Sequence, residues 1–258
     1  MDNTYMTTRA NIVVTGAAKP GIGEAITRRL LRDGFSVTGT FEKEHEECAR
    51  MLQSEHAGTA ALSLHPVDHS NRSELAAFAH ACPPAIRGIV HSQFFFAMEN
   101  PDQFDHELWD KSIAVNLTAP NFLTYSLKDK LHDGASIVMI TSTEGFIGSY
   151  AASAYAATKA AIHNLTKTLA NNFGKRGIRV NSLAAGWIGG VMDTDEVFNM
   201  SRRITPLGRL GAPSEIAAIT AFLLSTESSF VNGTTIVADG GYSGVDTIAR
   251  YEFEQSQK

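Results

Sequence analysis

Tyr155 and Lys159 stand four residues apart in "YAATK", and Ser142 precedes the tyrosine by thirteen residues in "ITS". A four-residue spacing places two side chains on one face of a helix. A free tyrosine titrates near ~10, too high for easy proton transfer at neutral pH. An ammonium beside it favours the phenolate, so the pair reads as a proton carrier and its tuner. Ser142 ends the apolar run "ASIVMITS" and can hydrogen-bond a substrate carbonyl or hydroxyl. Tyr-x-x-x-Lys alone is a frequent surface pair. Its position behind a serine and a glycine loop is much harder to reach by chance.

That loop is "TGAAKPGIG", Thr15 to Gly23. It follows the apolar run "NIVVT" and opens a stretch in which Ile22, Ile26 and Leu30 recur at one helical turn. The unpaired N–H groups of a helix N-terminus favour a pyrophosphate. Gly16 suits the tight turn, Gly21 a close backbone approach and Gly23 close helix–strand packing. Four residues, Ala17 to Pro20, separate the first two glycines. Pro20 disfavours a helical Lys19. Lys19 is either a solvated charge or a cation near the phosphates.

Apolar runs at 11–15, 35–40, 60–65, 87–92, 135–142, 178–183 and 234–239 read as strands, with amphipathic helical patterns between them. This rhythm predicts an α/β fold: a Rossmann-like, doubly wound, parallel seven-stranded sheet with helices on both faces. No linker or repeat interrupts it, so residues 1–258 form one domain with a core at about 11–243 and short tails. The chain is 43% hydrophobic with net charge −5 and has no basic block, which excludes nucleic acid as a partner. No signal-like or bilayer-spanning run occurs, and two cysteines make no disulfide framework, so a cytoplasmic protein without membrane contact is expected. The nine histidines show no ligand spacing, and Pro66 breaks the helix that His65 and His69 would need, so no metal is expected.

The chain resembles the short-chain dehydrogenase/reductase family over roughly residues 11 to 243. The resemblance rests on "TGAAKPGIG", "SIAVNL", "ITS", "YAATK", "IRVNSLAAGWI" and "PLGRLGAPSEIAAITAFLLSTESSFVNGTTIVADGGYS". It implies an oxidoreductase exchanging hydride with a nicotinamide dinucleotide, a ketone or secondary alcohol as small-molecule partner, and a homo-oligomer, tetramer or dimer. It assigns Tyr155 as general acid/base and Ser142 as the substrate-orienting hydroxyl. Lys159 would bind the nicotinamide ribose and lower the tyrosine pKa, and Asn116 would hold a water linking the lysine to solvent. Gly16, Lys19, Gly21, Ile22 and Gly23 would meet the cofactor at the glycine loop. Phe41, Asp68 and Ser92 would line its adenosine and ribose side, with Asp68 on the adenine. Gly186 and Ile188 would offer backbone contacts to the nicotinamide end.

Four departures from the family pattern lie on the cofactor side: the longer loop, "HSQF" (91–94) for Asn-Asn-Ala-Gly, Ala185 for a proline and Gly190 for a threonine. With Ser142, Tyr155 and Lys159 in place, they argue for altered cofactor geometry or affinity rather than lost chemistry; the loop and "HSQF" also support a competing reading, a non-catalytic dinucleotide-binding regulatory or scaffold protein. An acid at the end of the second strand would accept the ribose hydroxyls of NAD. Counted from Gly34, that place falls on Phe41, and with Lys19 in the loop NADP(H) is slightly favoured over NAD(H). A shift of one residue brings in Glu42 and reverses the balance. Phe94, Glu144, Trp187 and Met192 are the expected substrate-pocket residues; the three phenylalanines at 94–96 suit core or pocket equally.

Overall fold

The computed structural model describes residues 10–59, 61–190 and 194–257. In chain order the elements are β1 (Asn11–Thr15), α1 (Ile22–Arg32), β2 (Ser36–Phe41), α2 (Glu46–Glu55), β3 (Leu62–Pro66), α3 (Arg72–Ala81) and β4 (Ile86–His91). There follow α4 (His106–Ile113), α5 (Ala119–Leu127), β5 (Leu131–Ser142), α6 (Ser153–Phe173) and β6 (Arg179–Ala185). The last are α7 (Asp195–Ile204), α8 (Pro213–Leu224), β7 (Thr235–Ala238) and α9 (Thr247–Ser256). The strands form one sheet in the order β3-β2-β1-β4-β5-β6-β7, and every pairing is parallel. The expected seven-stranded doubly wound architecture is therefore what the chain adopts.

Continuous apolar strands bury both faces, as a helix-covered parallel sheet requires. One face packs Ile26, Leu30, Leu52, Ile216 and Leu223 from α1, α2 and α8. The other packs Leu75, Phe78, Leu123, Leu127, Ile162 and Leu169 from α3, α5 and α6. The chain leaves β1 in one direction for β2 and β3, then returns to the other side of β1 with β4. Ligands of open α/β sheets settle at the carboxyl ends of strands where this reversal occurs. Here those ends are Thr15 and His91, which are register partners.

Two features differ from expectation. β5 starts at Leu131 rather than 135, because Leu131 pairs with Ile86 across an irregularity in register. The C-terminal tail forms α9, whose N-terminus is capped by the Asp246 side chain and which buries no residue. Cys48 and Cys82 are free thiols. No helix among the described residues is long and apolar enough to cross a membrane.

Candidate active site

The glycine loop turns with Gly16 at φ 66° and Gly21 at φ 91°, a left-handed region that favours glycine. A Cβ on Gly23 would lie 2.0 Å from the Gly16 carbonyl oxygen. Gly16 N donates to Thr40 Oγ1 at 3.1 Å, and Ala17 N to the Thr40 carbonyl at 2.8 Å, so the loop is fastened to β2. No side chain caps the N-terminus of α1; Glu24 N donates to the Lys19 carbonyl at 3.0 Å, and the N–H groups of Ile22 and Gly23 remain for a ligand.

Lys19 reaches across the groove. Its Nζ donates to the Phe94 carbonyl oxygen at 2.9 Å and lies 3.9 Å from the centre of the Phe94 ring. Lys159 Nζ lies 5.7 Å from the same ring centre, so both ammonium groups stand close to Phe94. The extra loop residue and the "HSQF" substitution, separate in the chain, meet here. Next to Phe94, Asn116 clamps the Phe95 backbone: Oδ1 accepts from Phe95 N at 2.7 Å and Nδ2 donates to the Phe95 carbonyl at 2.9 Å. Nδ2 also reaches Thr158 Oγ1 on α6 at 3.2 Å. Asn116 lies in one turn of π-helix, Ala114–Thr118, between α4 and α5; such bulges often mark functional positions.

Ser142 closes β5, and α6 carries Tyr155 and Lys159 toward it. Lys159 is buried, with Nζ donating to the Ile140 carbonyl at 3.2 Å. The Ser142 hydroxyl hydrogen-bonds Tyr155 and accepts from Glu144 N at 3.2 Å. The Tyr155 ring packs edge-on against Phe94 and Phe96, with centres 6.4 Å and 5.1 Å away. Tyr155 departs from expectation in its acidity. Burial, reinforced by the Glu144 charge, raises its pKa above the ordinary value despite the opposing Ser142 hydrogen bond. Lys159 does not offset this rise, and burial, followed by the Lys19 charge, pulls its own pKa down to about 7.

Between about pH 7 and the ordinary lysine value of 10.5, Lys159 is neutral when folded and charged when unfolded. The resulting penalty is complete below pH 7 and fades as pH rises to 10.5. A shift of this size corresponds to at most on the order of 5 kcal/mol. Lys159→Met is therefore expected to raise the unfolding midpoint by several degrees at pH 6–7 and by little above pH 10. Thermal unfolding across that pH range checks it; a midpoint lowered at neutral pH contradicts a desolvated lysine.

The profile described as enoyl-(acyl carrier protein) reductase matches residues 16–243. Human dehydrogenase/reductase SDR family member 4 is 31% identical over 244 residues, covering 89% of this chain and 86% of that protein. The chain belongs to the short-chain dehydrogenase/reductase family. Another relative, galactitol 2-dehydrogenase (L-tagatose-forming) of Cereibacter sphaeroides, is 32% identical over 240 residues, with coverage of 89% and 93%. The crystal structure of BdcA in complex with NADPH superposes with a TM-score of 0.84 at 25% identity, covering 91% of this chain and 95% of that one.

The residues of this short-chain dehydrogenase/reductase fit a nicotinamide dinucleotide at the phosphate end, where the uncapped helix and Gly21, at φ 91°, stand. Asp68 is exposed, its Oδ1 accepting from Ser70 N and Oγ at 2.8 and 2.7 Å. Ser92 is buried with its N–H on Thr15 Oγ1 at 3.0 Å. Gly186 faces Asp239 so closely that a Cβ would lie 2.6 Å from the Asp239 Cβ; Ile188 bridges to Gly211. Ile22 opens α1. Phe41 is different: it is buried in the core cluster that α1, α2 and α8 pack on this face of the sheet, so its ring is turned away from the groove. Glu42 takes the strand end instead, half-buried, with Lys19 close enough to offset part of its desolvation. Of the expected pocket residues, Phe94 and Glu144 stand at Tyr155, Trp187 is exposed beside Gly186, and Met192 lies outside the described residues.

Sequence reasoning overlooked three participants. Gln93 packs on Gly16, where a Cβ would lie 2.7 Å from Gln93 Oε1. His69 and His91 are buried below the loop, bonded to Thr40 Oγ1 at 3.0 Å and Thr124 Oγ1 at 2.9 Å, and desolvation holds both neutral. Only the place of His69 after β3, and of His91 and Gln93 in "HSQF" at the end of β4, hinted at this. Glu42, Glu44 and His45 also bring potential ligand atoms within 4.8 Å of one another; Lys19 offsets that charge.

Proposed function

We propose that the protein is a nicotinamide-dinucleotide-dependent oxidoreductase that interconverts a ketone and a secondary alcohol. The observation that carries this reading is the convergence of Ser142, Tyr155 and Lys159 beside an uncapped glycine-loop helix. Gly16, Gly21, Ile22 and Gly23 would hold the phosphates, and Lys159 the nicotinamide ribose. The coenzyme, when bound, supplies or accepts the hydride. Ser142 orients the substrate oxygen, and Tyr155 gives it a proton in reduction or takes one in oxidation. Burial keeps Tyr155 protonated at rest, the form that reduction uses. Lys159, once a bound anion restores its charge, stabilises the phenolate left behind. Asn116 fixes the segment that presents Phe94 and Phe95, and connects it to α6 through Thr158.

The geometry weakens the case for NADP(H). Phe41 is in the core and the Lys19 ammonium is held by Phe94, while Glu42 stands where a 2′-phosphate would approach. The NADPH bound to BdcA argues the other way. We read NAD(H) as the better coenzyme, with NADP(H) accepted. Glu42→Ala is expected to raise the NADP(H)/NAD(H) ratio of kcat/KM by about tenfold, one carboxylate–phosphate repulsion. Coenzyme-dependent turnover over a panel of ketones and alcohols tests the reaction and this ratio together; an unmoved ratio would place the discrimination elsewhere. The two free thiols suit a reducing cytoplasm. Exposed Phe230, with Val237 on the edge strand β7, suits a homo-oligomer, tetramer or dimer.

A further inference from the structure

Ser142 and Glu144 belong to one tight turn at the end of β5, joined by the bond from Glu144 N to Ser142 Oγ at 3.2 Å. The turn is rigid. Phe146 N and Ile147 N both donate to the Thr143 carbonyl, at 2.9 and 3.2 Å, and Phe146 stacks on His163 of α6 with ring centres 4.2 Å apart. Gly145 lies so close to α6 that a Cβ would be 2.6 Å from His163 Cε1 and 2.9 Å from the Lys159 carbonyl carbon. The Glu144 carboxyl is thereby fixed beside Ser142 and near enough for its charge to act on Tyr155.

One of its oxygens has no work to do. Ser149 lies near enough to favour the charged form of this carboxyl, yet Oε2 is shut off from solvent and meets no donor within hydrogen-bond distance. A buried acceptor without a partner is costly and calls for an explanation. Glu144 as a whole is only half-buried, so a turn of its carboxyl would present this oxygen to the neighbouring atoms of a substrate held by Ser142 and Tyr155. Burial also pushes Glu144 toward its neutral form, which suits a neutral partner that can both donate and accept a hydrogen bond rather than a cation.

We propose that Glu144 binds a substrate hydroxyl on the carbon next to the reacting one, so that the protein prefers vicinal diols and α-hydroxy ketones to simple alcohols and ketones. The proposal rests on the oxidoreductase reading above. A carboxyl oxygen left unpaired by the simpler substrate is the source of the discrimination.

The test compares butane-2,3-diol with butan-2-ol in the intact protein. Wild type is expected to favour the diol in kcat/KM by about tenfold or more. Glu144→Leu is expected to bring that ratio to about one, whereas Glu144→Gln, which still donates and accepts, keeps most of it. Glu144→Ala repeats the truncation with a side chain that needs no extra room. A wild-type ratio near one, or a ratio that truncation leaves unchanged, overturns the proposal while the oxidoreductase reading stands. Coenzyme binding without oxidation of either alcohol counts against that reading, and melting of the coenzyme complex with each alcohol then decides this one. Stabilisation by the diol that Glu144→Leu abolishes supports the role of Glu144; no diol-specific stabilisation overturns it.

Discussion

Tyr155→Phe is expected to bind coenzyme as wild type does and to lose about a thousandfold in kcat, the usual worth of a positioned general acid or base. The substitution removes only the hydroxyl. The ring keeps its edge-on contacts with Phe94 and Phe96, at 6.4 and 5.1 Å between centres, so the pocket retains its shape. What disappears is the hydrogen bond with Ser142 and the proton delivered to the substrate oxygen. An equal loss in kcat and kcat/KM marks an interaction made in the transition state. Single-turnover measurements, with coenzyme binding followed separately by fluorescence, make the distinction. A variant that keeps a tenth of wild-type turnover would show that another group moves the proton, with Glu144 the first to examine.

Phe94→Ala is expected to tighten coenzyme binding by about tenfold, a change of about 1.4 kcal/mol. The Phe94 ring is approached by both Lys19 and Lys159, with Nζ atoms 3.9 and 5.7 Å from its centre. A cation held over an aromatic face gains about 0.5–2 kcal/mol, which a dinucleotide must replace to engage either lysine. Truncation removes that competition and clears the ribose end of the groove. Lys19 keeps its bond to the Phe94 carbonyl, since that acceptor is backbone. The same change is expected to lower the unfolding midpoint of the coenzyme-free protein, because a half-buried aromatic side chain is lost. Fluorescence titration and thermal unfolding report the two effects. Weaker binding in the variant would mean that the ring is a wall on which the coenzyme packs.

The parts of this site that were legible in the sequence are those anchored to element boundaries. Ser142 ends a strand, Tyr155 and Lys159 share a helix face, and Gly16 to Gly23 join a strand to a helix; local spacing determines each. What escaped depends on register and on contacts between distant segments. Whether Phe41 or Glu42 faces the groove turns on a single residue at the end of β2, and burial of Phe41 in the core decides it. The Lys19–Phe94 contact joins residues 75 positions apart, which no local pattern reports. The acidity of Tyr155 moved opposite to expectation because burial and the Glu144 charge act through space, whereas spacing displayed only the lysine.

Titration of NADH and NADPH into the intact protein, followed by coenzyme fluorescence, tests most directly that the glycine cradle and Lys159 hold a dinucleotide beside Tyr155. Saturable binding of one coenzyme per chain is expected, tighter for NADH and weakened in Lys159→Met. No saturable signal with either coenzyme, in wild type and in Phe94→Ala alike, would contradict it.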